Sequence, residues 1–133
     1  MEPKELMKLA ETAMKRSYAP YSDFEVGAAV LTSEGNVFTG CNIENASYGL
    51  SMCAERVAVF KAVSEGEEVA EIAIASIEGD TKPCGACRQV IFELNKDTRI
   101  HFMKDGEMVT ATATQLLPES FLLQTKFKGL EPS

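Results

Sequence analysis

The sequence predicts an α/β fold in which helices pack on the faces of a single sheet. Segments with helical and with strand periodicity alternate in the order αββαβαββ, which is typical of one sheet covered by helices. The length of 133 residues fits one domain. A content of 45% hydrophobic and 25% charged residues is an ordinary globular composition. We therefore expect a single domain over residues 1–133, with the tail after about residue 125 mobile.

The first half of the chain predicts a helix, a β-hairpin and a second helix. In order, the elements are a helix over residues 3–17, a strand over 24–32, a turn over 33–36, a strand over 37–41, a loop over 42–50 and a helix over 51–64. Apolar residues at helical spacing, with Pro3 in the first turn, indicate the first helix. Alternation in the first strand places one apolar face inward, formed by Phe24, Val26, Ala28 and Val30. The second helix is apolar nearly all round, which is typical of a buried helix.

The second half predicts three more strands and one more long helix. In order, the elements are a strand over residues 69–77, a loop over 79–83, a helix over 85–94, a strand over 99–103, a turn over 104–107, a strand over 108–113 and a helical turn over 114–117. No repeat and no linker interrupts this order.

The charge of the chain excludes several classes of function. Thirteen basic and twenty acidic residues give a net charge of −7. Such a surface repels phosphate backbones and anionic membranes, so we expect neither nucleic acid nor a membrane as partner. No apolar stretch is long enough to span a bilayer, and the N-terminus mixes acids and bases unlike a secretory signal. We therefore expect a cytoplasmic protein whose cysteines serve metal binding or catalysis and not disulfides.

Three cysteines lie where the two buried helices begin. Cys53 opens one helix, and Cys84 and Cys87 open the other as a Cys-x-x-Cys pair. Thiolates favour Zn²⁺, and the partial positive charge of a helix N-terminus favours the thiolate. Three protein ligands and a water would make a catalytic zinc site, whereas four protein ligands would make a structural one. Cys41 is the candidate fourth ligand, and the alternative is a small buried hydrophobe.

Glu55 is the candidate proton carrier. It lies two residues after Cys53 in a helix that is otherwise apolar. Burial would raise the pKa of its carboxyl toward neutrality, which suits a group that takes a proton from a metal-activated water. The alternative is a structural ion pair with a neighbouring arginine. Because helix positions i and i+2 face different directions, both roles require Cys53 to lie at the helix cap.

Two arginines could offset the negative charge of three thiolates. Arg56 follows Cys53 by three residues and could donate to a thiolate, and Arg88 next to Cys87 is a weaker candidate. The alternative for both is an ordinary surface arginine. His101, the only histidine, lies in a predicted strand and is expected to be structural.

The spacing of Cys-x-Glu and Pro-Cys-x-x-Cys resembles the zinc-dependent nucleobase and nucleoside deaminases. With cysteine as first ligand, the chain is similar to the small homotetrameric cytidine deaminases. The similar segments are residues 24–29, Gly40-Cys-Asn-Ile-Glu-Asn-Ala-Ser-Tyr48, Cys53-Ala-Glu-Arg56, residues 83–89, and residues 116–118 with Phe121.

The resemblance implies a three-layer α/β/α sandwich with a five-stranded mixed sheet and one Zn²⁺ per subunit. It implies that Asn42 and Glu44 hold the ribose hydroxyls, and that the backbone N–H of Ala54 holds the base carbonyl. Phe24 would pack against the pyrimidine. Loop capping is the alternative for Asn42 and Glu44, and a place in the core is the alternative for Phe24.

The resemblance also implies a homotetramer with substrate sites at subunit interfaces. Residues reaching the site from neighbouring chains would be Ala46, Tyr48 and Phe121.

The leading hypothesis is hydrolytic deamination of cytidine and 2′-deoxycytidine to uridine and 2′-deoxyuridine, as part of pyrimidine salvage. A deaminase of cytosine-nucleoside antibiotics of the blasticidin S type is the second enzyme hypothesis. A polynucleotide substrate is disfavoured by the acidic charge. A non-catalytic zinc module closed by all four cysteines is a third hypothesis, and a thiol redox protein using Cys84 and Cys87 is a fourth.

Overall fold

The computed structural model describes residues 1–122. Its helices are α1 (Pro3–Met14), α2 (Ala54–Ser64), α3 (Gly85–Leu94) and α4 (Ala113–Leu116), with a short 3-10 helix at Tyr48–Leu50. Its strands are β1 (Val26–Thr32), β2 (Val37–Cys41), β3 (Val69–Ser76), β4 (Arg99–Lys104) and β5 (Glu107–Thr112). The tail after about residue 125, expected to be mobile, lies outside the described residues.

The five strands form one mixed sheet in the order β2-β1-β3-β4-β5. β1 pairs antiparallel with β2 and with β3, and β4 pairs antiparallel with β5. β3 and β4 are parallel, so the chain must cross over between them, and α3 makes this crossover. The expected five-stranded mixed sheet is confirmed.

Helices cover both faces of the sheet and enclose two cores. Against one face, α1 buries an apolar cluster with small residues of the central strands, namely Leu6, Met7, Ala10, Ala29, Ala73 and Ala75. The opposite face packs against α2 and α3, and the predicted inward face of β1 contributes Val26, Ala28 and Val30 to that core. Gly40 of β2 allows α2 to approach closely, because a Cβ at this position would lie 2.6 Å from the backbone nitrogen of Ala58.

Two predicted element boundaries are wrong because long-range contacts decide them. The first helix ends at Met14 and not at residue 17. The Ser17 hydroxyl lies 2.7 Å from the Met14 carbonyl and 3.1 Å from that of Val26, and the Tyr18 N–H donates to Asn42. β1 begins at Val26 and not at residue 24, because the Asn42 side chain binds the Phe24 carbonyl and the Val26 N–H.

The second helix is also less enclosed than its composition predicts. It begins at Ala54, three residues later than expected. Phe60 and Val63 are 44% and 43% exposed, because α2 packs on the sheet with one side only and its other side faces away from its own chain. Within residues 1–122, no helix has the length and hydropathy needed to cross a membrane.

Candidate metal centre and substrate cleft

Two cysteines occupy the N-cap positions of helices α2 and α3. Cys53 is the N-cap of α2 and Cys84 is the N-cap of α3, both with extended backbone conformation. Neither thiol is used as a capping acceptor, so both sulfurs remain free to bind a metal. Cys53 therefore lies at the cap and Glu55 in the first turn, as the two predicted roles require.

The sulfurs of Cys53, Cys84 and Cys87 form a cluster whose atoms all lie within 4.8 Å of one another. The distance from Cys53 to Cys84 is 3.8 Å, and that from Cys84 to Cys87 is 3.3 Å. Tetrahedral zinc with bonds of about 2.3 Å places its sulfur ligands about 3.8 Å apart, so a small opening of the second pair accommodates the ion. The donor set is thiolate only, which zinc prefers over Mg²⁺ or Ca²⁺.

Cys41 does not join this cluster. It ends β2, pairs with Gly27 of β1 and is half-buried. Within residues 1–122, the cluster has three members, so the fourth ligand position is not filled by a cysteine. The hypothesis of a structural site closed by four cysteines is wrong.

The sulfurs of the cluster lie within hydrogen-bond distance of one another, and a metal ion would displace the protons of their thiols. A hydrogen bond from Cys87 is the largest influence on Cys53, and together with the Arg56 guanidinium it lowers the pKa of the Cys53 thiol to about 5. The same hydrogen bond and burial raise the pKa of Cys87. The lowered pKa of the Cys53 thiol favours its thiolate, which is the charge state that zinc binds.

Glu55 lies beside the sulfur cluster and is almost completely buried. It is 5% exposed, and burial raises the pKa of its carboxyl to about 6. The negative charge of Cys53 raises the pKa further, whereas the backbone N–H of Glu55 and the Cys87 thiol lower it. In the described part of the chain the ion pairs are those of Glu71, so the alternative of a Glu55–arginine ion pair is not observed.

The two arginines have different partners. Arg56 donates from Nη2 to the Cys53 sulfur over 3.4 Å. Arg88 instead donates to the backbone carbonyls of Pro83 and Leu116, at 2.8 and 3.1 Å, so its predicted thiolate contact is wrong. His101 is buried on β4 between Glu71 and Thr110 and does not line the cleft.

An open cleft of about 470 Å³ leads to the sulfur cluster. Nine of the residues expected at the site line it, namely Phe24, Asn42, Glu44, Tyr48, Cys53, Ala54, Glu55, Arg56 and Cys84. Cys87 does not line it and is fully buried. Ala46 and Phe121 do not line the cleft of their own chain, and both are exposed.

Asn42 and Glu44 fix the backbone around the cleft as well as lining it. The Asn42 amide accepts from the N–H of Val26 and donates to the carbonyl of Phe24, at 2.9 and 2.7 Å. Glu44 accepts hydrogen bonds from the backbone N–H of Tyr21 and Ser22 and from the Ser22 hydroxyl. The Ser22 hydroxyl makes the largest contribution to lowering the pKa of Glu44. Both side chains therefore bind the backbone of the loop, as the loop-capping alternative expects, and both also line the cleft.

Seven cleft residues were not anticipated as site residues from the sequence. They are Ser22, Val26, Gly49, Ser51, Met52, Thr81 and Lys82. Met52 and Lys82 lie one and two residues before metal-ligand candidates, a proximity in sequence that could have indicated them. The Ser22 hydroxyl donates to Glu44, 22 positions along the chain, and no local pattern reveals this contact.

The comparisons with known proteins agree with this geometry. Residues 1–104 match the family model described as "Cytidine and deoxycytidylate deaminase zinc-binding region". A cytidine deaminase of Halalkalibacterium halodurans is 47% identical over 127 residues, which cover 91% of this chain and 95% of that protein. A probable cytidine deaminase of Dictyostelium discoideum is 44% identical over 115 residues, or 84% of this chain and 78% of that protein.

Solved structures give the same result. A cytidine deaminase from Burkholderia pseudomallei superposes with a TM-score of 0.85 at 45% identity, covering 91% of this chain and 100% of that one. One from Mycobacterium tuberculosis has a TM-score of 0.82 at 37% identity, covering 92% and 99%. The matched family region includes all three clustered cysteines and Glu55. The chain therefore belongs to the cytidine and deoxycytidylate deaminase family that is defined by this zinc-binding region.

Proposed function

We propose that the chain catalyses the hydrolytic deamination of cytidine and 2′-deoxycytidine to uridine and 2′-deoxyuridine, with release of ammonia, in pyrimidine salvage. The observation that carries the proposal is that the buried Glu55 lies beside a cluster of three cysteine sulfurs able to bind a metal ion, in one cleft. Relatives named cytidine deaminase, at 42% to 47% identity over most of their length, support it.

The chemistry requires a proton carrier at the cluster. Zinc held by Cys53, Cys84 and Cys87, one ion per chain, supplies a Lewis acid that makes water acidic near neutral pH. Glu55 takes a proton from the attacking water and delivers it to N3 of the base, which makes C4 more electrophilic. The water oxygen bonds to C4, and Glu55 then carries the proton of the added hydroxyl to the amino group. The C4–N bond breaks as the C4 carbonyl forms, and ammonia leaves. A carboxyl with a pKa of about 6 can both accept and return a proton at neutral pH.

The remaining cleft residues orient the nucleoside. Ala54 is the first residue of α2, so its N–H lacks an intrahelical partner and can donate to the base carbonyl. Phe24 packs against the pyrimidine ring. Asn42 and Glu44 offer donors and acceptors that match the ribose hydroxyls, and their backbone contacts hold them in place before substrate arrives.

The active form we propose is a homotetramer with sites at subunit interfaces. The large apolar side chains that the single chain leaves exposed support it, because a neighbouring subunit could bury them. Three of them are 72% to 73% exposed, namely Tyr48, Leu50 and Phe121. Ala46, Tyr48 and Phe121 would then reach a neighbouring chain's cleft. A small-molecule substrate, and not a nucleic acid, fits the net charge of −7. The location we propose is the cytoplasm, where reducing conditions would keep the three clustered thiols available as metal ligands.

The test is a spectroscopic deamination assay of the purified chain with cytidine, 2′-deoxycytidine and blasticidin S as substrates. We expect turnover of both nucleosides with kcat/KM far above that for blasticidin S. Removal of zinc by a chelator strong enough to compete with thiolates should abolish turnover, and added zinc should restore it. Turnover of blasticidin S alone, or full activity without metal, would overturn the proposal.

A further inference from the structure

The loop that connects β3 to α3, residues 77–83, forms one wall of the cleft. Thr81 and Lys82 of this loop line the cleft, and Cys84 follows directly. The position of the loop therefore sets both the width of the substrate cleft and the start of the second metal-binding segment.

The turn between β4 and β5 offers two free backbone donors to this loop. Its central residues, Asp105 and Gly106, both have positive φ, at 54° and 78°, as in a type I′ hairpin turn. The flanking residues Lys104 and Glu107 complete the ladder, so the central N–H groups point away from it. Two adjacent N–H groups in such a turn form a concave site for an anion.

Asp80 fills that site. Its carboxylate accepts from the N–H of Asp105 at 2.6 Å and from the N–H of Gly106 at 3.1 Å. Hydrogen bonds to a charged acceptor are stronger than those between neutral groups. Two oxygens held by two fixed donors also restrict the rotation of the side chain, so the loop backbone at this residue is fixed to the turn.

The neighbouring contacts continue this attachment toward the cleft. The N–H of Thr81, one residue further along, donates to the carbonyl of Met103 at 3.1 Å. The Ser76 hydroxyl lies 3.3 Å from the Asp80 carbonyl. Apolar burial contributes little here, because Ile77 is 56% exposed and residues 78–80 are exposed.

We propose that Asp80 is a positioning residue for the substrate wall formed by Thr81 and Lys82. It acts by binding the β4–β5 turn and does not touch the reacting atoms. The inference rests on the proposed function, since it concerns how that cleft holds its nucleoside. Loss of the Asp80 contact should widen the cleft and weaken substrate binding more than it slows the chemical step.

The experiment compares Asp80→Ala, Asp80→Asn and Asp97→Ala in the zinc-loaded protein. Asp97→Ala removes the same charge from an exposed residue whose carboxylate makes no hydrogen bond within the described residues, so it should behave as wild type. For Asp80→Ala we expect KM for cytidine to rise about fivefold or more with kcat changed less than about twofold, as for loss of a binding contact. Asp80→Asn retains one acceptor oxygen and should lie between. Zinc content should stay near one per chain.

Amide hydrogen exchange gives a readout independent of activity. In wild type we expect the N–H groups of Thr81, Asp105 and Gly106 to be protected, and in Asp80→Ala we expect all three to exchange faster. An unchanged KM in Asp80→Ala, or equal exchange of Thr81 in both proteins, would overturn the positioning role. If wild type fails to deaminate cytidine, the proposed function falls, and the Thr81 exchange still decides whether Asp80 fixes the wall.

Discussion

Arg56, in the first turn of α2, donates a hydrogen bond from Nη2 to the sulfur of Cys53, the N-cap of that helix, over 3.4 Å. Its Nε is buried without a hydrogen-bond partner among residues 1–122. Three thiolates around Zn²⁺ leave one excess negative charge, which opposes the ionisation of water. The guanidinium reduces that excess through a direct contact with one sulfur.

We therefore expect Arg56→Gln to keep the fold and lose activity. Loss of a charge partner of a metal ligand costs about 10- to 100-fold in metal affinity or activity. Zinc titration and cytidine kinetics would measure both, with the exposed Arg16→Gln as the matched control. Wild-type kcat/KM and zinc affinity in Arg56→Gln would show that the contact has no role.

Glu55→Gln should separate metal binding from proton transfer. The amide is similar in size to the carboxyl but cannot carry a proton, so kcat should fall by about 10²- to 10⁴-fold, the usual contribution of general acid–base catalysis. Zinc content by metal analysis should stay near one per chain. Glu65→Gln, an exposed residue at the C-cap of α2, is the control. Near-normal turnover of the Glu55 variant would refute its role.

Gly40→Ala should destabilise the protein and disturb the site together. The added Cβ would lie 2.6 Å from the Ala58 nitrogen and 2.7 Å from the Ala54 carbonyl oxygen, both backbone atoms of α2. Because neither atom can rotate away, the helix must shift, at a cost of about 1–3 kcal/mol in the free energy of unfolding. Urea denaturation measures the cost. Gly49→Ala, where a Cβ meets no atom within 4 Å, should leave that free energy nearly unchanged.

The lowered pKa of Glu44 predicts that the free energy of unfolding depends on pH. Its folded pKa lies below the ordinary value of 4.5, chiefly because the Ser22 hydroxyl donates to the carboxylate. A lowered folded pKa adds stability above the unfolded pKa, and this contribution disappears as the pH falls through the folded value. Wild type should therefore exceed Glu44→Gln in stability most at neutral pH, and the gap should close in acid. Denaturation at several pH values measures it, and a gap independent of pH would contradict the assignment.

Much of the architecture could be predicted because it depends on local pattern. Strands β2 to β5 and helix α3 lie within two residues of their predicted bounds, since alternation, turn residues and periodicity all act over a few neighbours. The metal-binding cysteines could be predicted for the same reason, because Cys-x-x-Cys at a helix start places two sulfurs together whatever the rest of the fold.

The parts that failed depend on contacts between distant segments. The end of α1 and the start of β1 are set by residues 17–26 meeting Asn42 and Glu44, which are more than fifteen positions away. The Arg88 contact with Leu116 joins α3 to the segment after β5, and no spacing within either segment reveals it. The exposed outer side of α2 could not be predicted from composition. An apolar residue can be buried by its own chain or, in the oligomer we propose, by a second chain, and composition does not distinguish the two.

The placement of the cysteines also affects how the protein unfolds. Cys53 and Cys84 are 31 positions apart, so an ion bound to both acts as a cross-link that closes a long stretch of chain, including β3. Because the three sulfurs come together only in the folded chain, an ion that binds the folded cluster and not the unfolded chain stabilises the fold by its binding free energy. A zinc ion bound by this cluster would therefore cross-link α2 and α3, and its release and the opening of the central sheet should occur as one cooperative transition.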